Sequence, residues 1–164
     1  MSDATAYIGL GANLGQPERT IMQALATLAQ HPAITDLSHS SLYRSAPIDA
    51  PGPIYVNAAA KIKTTLAPLP LLGLLRQTEW DHGRERHFKN APRTLDLDLL
   101  LYDELWLETP RLTLPHPRMH LRAFVLRPLA ELGTTWPELA HKPMSHWLSA
   151  SADQCCEPIK ERVD

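Results

Sequence analysis

Residues 94–102 read TLDLDLLLY. Leu95, Leu97 and Leu99 alternate with Asp96 and Asp98, the period of two that a half-buried β-strand requires, because successive side chains on a strand point to opposite faces. The leucines bury on one face and the two aspartates emerge together on the other. Carboxylates held that close repel each other unless one is protonated or a cation sits between them. A hard divalent ion resolves the conflict, since Mg²⁺ commonly takes one or two carboxylates and fills its octahedron with phosphate oxygens and water. The plainer alternative is an edge strand carrying two acids on its wet face.

The segments before this strand decide the fold around it. TAYIGLGAN, residues 5–13, reads as a first strand running into a glycine-containing turn. Pro17 and Glu18 open a helix, because proline suits the first helical position and an acid suits the positive end of the helix dipole. Ile21, Leu25 and Leu28 give it one apolar stripe, and Pro32 ends it. A second strand is predicted over Ile34 to Ser45, a proline-rich loop follows, and YVNAAAKIKTTL, residues 55–66, is a third strand. A second helix runs from about Pro68 to His82, with Leu71, Leu72 and Leu75 on one side and Gly83 as its cap. With TLDLDLLLY as the fourth strand, the order is βαββαβ, an α+β, ferredoxin-like sheet whose two helices cover one face. ELWLETPRLTLP adds a short hairpin, MHLRAFVLRPLAEL a third helix, and the segment beyond Ala140 is weakly patterned. One domain is expected over residues 1–164, with its core at about 6–138 and a C-terminal extension at 139–164.

Composition narrows the function. Hydrophobic residues make up 44% and charged residues 21%, an ordinary globular balance that argues against disorder. The net charge of -2 argues against a protein that coats nucleic acid or an anionic membrane. Cations are nonetheless gathered locally. Arg84, Arg86, Lys89 and Arg93 stand against a single acid, Glu85, and Arg111, Arg118, Arg122 and Arg127 share the stretch from 111 to 128 with His116 and His120 and no acid. Arginine grips phosphate bidentately and never loses its charge. Paired acids for a metal beside arginines for an anion suit a nucleoside triphosphate; two solvated charged faces are the bland alternative. Cys155 and Cys156 are adjacent and cannot staple distant segments, which fits a reducing compartment. The N-terminus lacks the pattern of a signal peptide and no run reaches membrane-spanning length, so a cytoplasmic protein is expected.

GLGANLG, residues 9–15, invites a dinucleotide reading, with Asp36 at a suitable distance for a ribose contact. Its spacing is off by one from G-x-G-x-x-G, and two consecutive strands follow the first helix where repeated βαβ units belong. A turn in which Asn13 satisfies backbone groups is preferred.

RTLDLDLL, YVNAA and LPHPRMHLRAFVL together resemble the 6-hydroxymethyl-7,8-dihydropterin pyrophosphokinase family, whose members move a pyrophosphoryl group from ATP to a pterin alcohol in folate biosynthesis, releasing AMP. The resemblance runs from about Ala6 to about Glu138, and its R-x-x-D-x-D and P-H…R-x-F elements agree in both spacing and order. It implies a ferredoxin-like fold. It implies two Mg²⁺ ions held by Asp96 and Asp98, with catalysis resting on these two and on Arg84 and Arg93. ATP is expected against Glu79, Arg84, Arg93, His116 and Arg122. The pterin is expected between the rings of Tyr55 and Phe124, read by Asn57 and by the loop of Ser45, Pro47 and Ile48. Rings on both faces of a flat heterocycle and an amide on its edge make chemical sense. Taken singly, Tyr55 and Phe124 read more plainly as core, Asn57 as a turn residue and His116 as a loop residue.

The chain departs from the family where many relatives carry Trp-Gly before Pro-Arg: here Asn90 and Ala91 precede Pro92 and Arg93. The tryptophan that could close over the site is missing, and Phe88 is the candidate to replace it. Pro117 stands where some relatives have tyrosine. The expected partners are ATP and the pterin, with no nucleic acid and no membrane, and the expected state is a monomer. The rival reading is a non-catalytic ferredoxin-like nucleotide- or RNA-binding module, with aromatics stacking bases and the basic loop tracking phosphates. Such a surface has no need of paired aspartates.

Overall fold

The computed structural model describes residues 3–13, 15–45, 55–82, 95–134, 139 and 142–159. Its centre is an antiparallel sheet in the order β5-β1-β4-β3-β8, with β2 also on β4. The strands are β1 (Ala4–Ala12), β2 (Ile34–His39), β3 (Tyr43–Ser45), β4 (Tyr55–Thr64), β5 (Asp96–Tyr102) and β8 (Cys156–Pro158). β6 (Leu107–Glu108) and β7 (Thr113–Leu114) form the separate hairpin expected from the sequence. Helices α1 (Pro17–Gln30) and α2 (Pro68–Asp81) start at the prolines that predicted them.

Alternation along each strand builds two cores. Ala6, Ile8, Leu10 and Ala12 of β1, Val56, Ala58, Ala60 and Ile62 of β4, and Leu97 and Leu99 of β5 face the buried stripes of α1 and α2, namely Ile21, Leu25, Leu28, Leu71 and Leu75. The opposite face is covered as well: Tyr7, Ala59, Leu100 and Leu101 pack with Met119, Val125 and Leu129. Those last residues belong to a 3₁₀ turn (Met119–Leu121) and α3 (Ala123–Glu131). The third helix of the sequence reading therefore begins only after this turn, and it lies across the sheet from the other two.

Two expectations are corrected. The predicted strand Ile34–Ser45 is two strands along the same side of β4, because Ser40 breaks it: its N–H donates to the Ala59 carbonyl while its hydroxyl accepts from the Ala59 N–H at 2.9 Å. The segment beyond Ala140, read as weakly patterned, contains α4 (Met144–Ala150) and β8, and β8 pairs with β3. Glu131, at the end of α3, fastens that helix to β3: its carboxylate accepts from the Ser41 N–H and from the Tyr43 hydroxyl. The proposed Gly83 cap lies outside the described residues. Among the described residues, no helix is long and apolar enough to cross a membrane.

Candidate active site

The register of β1 against its two neighbours sets out the site on the α3 face. Gly11 lies between Asp96 of β5 and Asn57 of β4, and Asn57 is paired in turn with Tyr43 of β3; one step along, Gly9 lies between Asp98 and Ala59. Directly paired residues share a face, so acids, amide and ring form a row with glycine where another side chain would intrude. A Cβ on Gly11 would come within 3.1 Å of the Asn57 Nδ2, closer than nearly all real contacts, while one on Gly9 would touch Leu100 at an ordinary 3.4 Å. Both aspartates are half-buried.

A bulge re-aims the strand next to them. Leu99 pairs with Ile8 but Leu101 pairs with Tyr7, leaving Leu100 as the extra residue. One unpaired residue kinks a strand and frees its backbone groups. The Leu100 carbonyl then accepts the His116 N–H at 2.9 Å, which draws the PHP segment alongside Asp98. Burial lowers the His116 pKa below its usual value; the Asp98 charge works the other way, and Arg122 and Arg118 add to the lowering. The ring is therefore neutral at pH 7. Its Nδ1 accepts the Arg118 N–H at 3.2 Å, which puts the proton on Nε2.

Behind the aspartates, β5 is a sheet edge, and the backbone of Leu97 points outward from it. The Glu79 carboxylate accepts the Leu97 N–H at 2.8 Å, and Arg76 donates to the Leu97 carbonyl at 2.8 Å and to Glu79 at 2.7 Å. Glu79 is only 1% exposed. This pair does for Leu97 what a neighbouring strand would do, and Leu97 is the residue between the two aspartates. Arg76 was not singled out from the sequence; its i,i+3 spacing to Glu79 is visible there, but its backbone target is not.

On the other side of the row, Asn57 is 6% exposed and its Oδ1 accepts the Ser45 hydroxyl at 2.7 Å, which leaves Nδ2 turned toward Gly11. Tyr55 pairs with Ser45, two residues from Asn57 and on the same face. Phe124, from the first turn of α3, packs over this face against Tyr43 and Ala123, and the Arg122 guanidinium lies 5.6 Å from its ring centroid, within cation–π range.

The structure thus brings Ser45, Tyr55, Asn57, Asp96, Asp98, His116, Arg122 and Phe124 to one side of the sheet and Glu79 to its edge. Arg84, Arg93, Pro47 and Ile48, with the Phe88 and Asn90 loop, lie outside the described residues. Among the described residues, no three metal-ligating side chains converge. Two carboxylates on one wet face, with glycines opposite, fit a hard ion that takes its other ligands from substrate and water.

A family model described as 7,8-dihydro-6-hydroxymethylpterin-pyrophosphokinase (HPPK) matches residues 7–134. The 2-amino-4-hydroxy-6-hydroxymethyldihydropteridine pyrophosphokinase of Bacillus subtilis (strain 168) is 46% identical over 128 residues, 77% of either chain. The enzyme of the same name from Pseudomonas aeruginosa is 46% identical over 127 residues, 77% of this chain and 78% of its own. In fold, the chain matches the solved structure titled "Crystal Structure Analysis of the HPPK-DHPS in complex with substrates" with a TM-score of 0.71 at 11% identity, over 92% of this chain and 43% of that one. The chain spans less than half of that solved structure.

Proposed function

The chain belongs to the 7,8-dihydro-6-hydroxymethylpterin-pyrophosphokinase family, and on that premise we propose how its residues carry out the reaction. The protein is an ATP-dependent pyrophosphokinase of folate biosynthesis. It transfers pyrophosphate from ATP to the hydroxymethyl group of 6-hydroxymethyl-7,8-dihydropterin, giving the pterin diphosphate and AMP.

In our reading the hydroxymethyl oxygen attacks the β-phosphorus in line as the bond to the AMP oxygen breaks. Such a transfer is governed by positioning and by charge neutralisation. Asp96 and Asp98 would hold magnesium, two ions in this reading, which supply positive charge against the triphosphate. His116 donates from Nε2 to a phosphate oxygen; a neutral imidazole can do this without first releasing a proton. Arg122 contributes a permanent charge from the same side, and Arg84 and Arg93 complete the anion grip. Glu79 serves the nucleotide by fixing Leu97, and so the spacing of the two acids. The pterin lies between Tyr55 and Phe124 with Asn57 on its edge, Ser45 orienting that amide and Pro47 and Ile48 supplying further pterin contacts. We read one domain over residues 1–164, a monomer, at work in the cytoplasm.

The observation that carries this reading is the meeting of Asp96, Asp98 and His116 on one sheet face, where the bulge at Leu100 leaves a carbonyl free to hold the His116 N–H. An RNA-binding surface gains nothing from that arrangement, because paired carboxylates repel a phosphate backbone. With ATP, Mg²⁺ and the reduced pterin alcohol, AMP must appear one for one with pterin diphosphate; ADP in place of AMP overturns the assignment. Asp98→Asn is expected to lose at least about 100-fold in kcat while its thermal unfolding stays within a few degrees of the parent.

A further inference from the structure

We propose that Gln154 is a positioning residue for the transfer, holding the backbone on both sides of Arg122 so that Arg122 and Phe124 are presented together. The inference rests on the reading of those two residues given above. Gln154 lies in the segment between α4 and β8, beyond residues 7–134 that the family model matches. Its side-chain amide makes two hydrogen bonds: Oε1 accepts the Ala123 N–H at 2.9 Å, and Nε2 donates to the Leu121 carbonyl at 2.9 Å.

Both backbone groups are ones that local structure leaves short of partners. Ala123 opens α3, where the first N–H groups have no acceptor within the helix. Arg122 stands at the cap position in extended geometry, φ −123° and ψ 114°, and makes no side-chain capping bond. Leu121 ends the 3₁₀ turn. A glutamine 31 positions further on therefore supplies the cap that the helix lacks, and as a bidentate strap it fixes the peptide units on either side of one residue. Arg122 is left to direct its guanidinium over the Phe124 ring, 5.6 Å away.

The strap is itself anchored at both ends. Before it, Trp147 of α4 lies edge-on to His120 of the 3₁₀ turn with centroids 4.6 Å apart, and donates its indole N–H to the Leu139 carbonyl. After it, Arg127 of α3 donates to the Cys156 carbonyl, and Cys156 pairs with Ser45, the residue that orients Asn57. One short segment thus holds the backbone on either side of Arg122 and pairs with β3, whose Ser45 orients Asn57.

The test uses Gln154→Met, which keeps length and volume but makes neither bond, in the full chain and in the Arg122→Ala background. The expected result is a rise of about 5- to 10-fold in KM for both ATP and the pterin, with kcat within about twofold. In the Arg122→Ala protein the same change should add nothing further to the ATP KM, because the residue it positions is gone. Unchanged KM values in a folded Gln154→Met protein overturn the proposal, and so does an equal ATP penalty in both backgrounds, which marks a general structural effect. Should Gln154→Met fail to fold, Gln154→Glu, which retains the acceptor for Ala123, carries the same comparison. An Arg122→Ala protein with unaltered ATP KM sinks the reading of Arg122 and leaves Gln154 to be judged on the pterin KM alone.

Discussion

Gly11→Ala is the smallest change that separates the pterin half of the site from the nucleotide half. The added methyl would lie 3.1 Å from Asn57 Nδ2, so something must yield by a few tenths of an ångström. The backbone of β1 is paired on both sides and cannot move alone. The Asn57 amide can, but only by leaving the Ser45 hydroxyl that holds it at 2.7 Å. A buried hydrogen bond of this kind is worth about 0.5–1.5 kcal/mol, offset by the roughly 0.4–1 kcal/mol that alanine gains over glycine through the unfolded chain. Stability should therefore change by less than about 1 kcal/mol, a Tm shift of roughly 2–4 °C or less at this size. Pterin recognition has no such offset. Misdirecting one amide should cost about 1–2 kcal/mol of binding, a rise in pterin KM of about 5- to 30-fold with the ATP KM unchanged. Steady-state kinetics in each substrate, beside Gly9→Ala as the milder neighbour whose Cβ meets only a leucine at 3.4 Å, decides the matter. Equal pterin KM in Gly11→Ala and the parent, or equal rises for both substrates, would refute the link from Gly11 through Asn57 to the pterin.

Removing the edge clamp should act on both stability and turnover. Glu79→Ala strands the buried Leu97 N–H and is expected to cost about 2–3 kcal/mol, with Glu79→Gln, which still offers an acceptor, losing less than half of that; thermal unfolding of the two measures it, and a Tm for the alanine variant equal to the parent's would discard the clamp. Glu131 supplies the pH dependence. Burial acts to raise its pKa, but the hydrogen bonds from Ser41 and Tyr43 outweigh it and leave the group below its usual 4.5, while burial and the Glu131 contact push Tyr43 up to about 12. A carboxyl whose folded pKa is depressed gives stability that is complete above its unfolded value and lost as pH falls through the folded one. The stability gap between the parent and Glu131→Gln should therefore be level from about pH 5.5 to about 9, before Tyr43 begins to titrate in the unfolded chain, and close on acidification below 4.5; urea unfolding across that range reads it, and a gap that widens in acid contradicts the sign.

What the sequence disclosed follows the range of the interaction involved. The aspartates were readable because strand period two is local, and both long helices because prolines and apolar spacing announce them. The break at Ser40 was not readable: it depends on a hydroxyl meeting the backbone of Ala59, and only the third dimension pairs them. Nor was the bulge, since Leu99, Leu100 and Leu101 are identical in type and give no sign of which is extra. The tail was missed because β8 is three residues long and contains proline, a strand by tertiary pairing alone. The family resemblance puts Glu79 near the nucleotide, yet in the structure its carboxylate holds the Leu97 N–H and Arg76. A motif places a residue in the neighbourhood; which atom it grips depends on strands that meet only after folding.

The seam between β3 and β8 is a zipper with very few teeth: three residues pair on each side, and the Ile159 N–H adds a rung to the Leu42 carbonyl at 2.8 Å. Whenever it parts, Tyr43–Ser45 is bared as an adhesive margin that a second molecule could grip. Substrates that hold the closed form drain that opened population by mass action. Occupancy of the site should thus double as protection against clumping, and storage without ligand should be where this enzyme is most fragile.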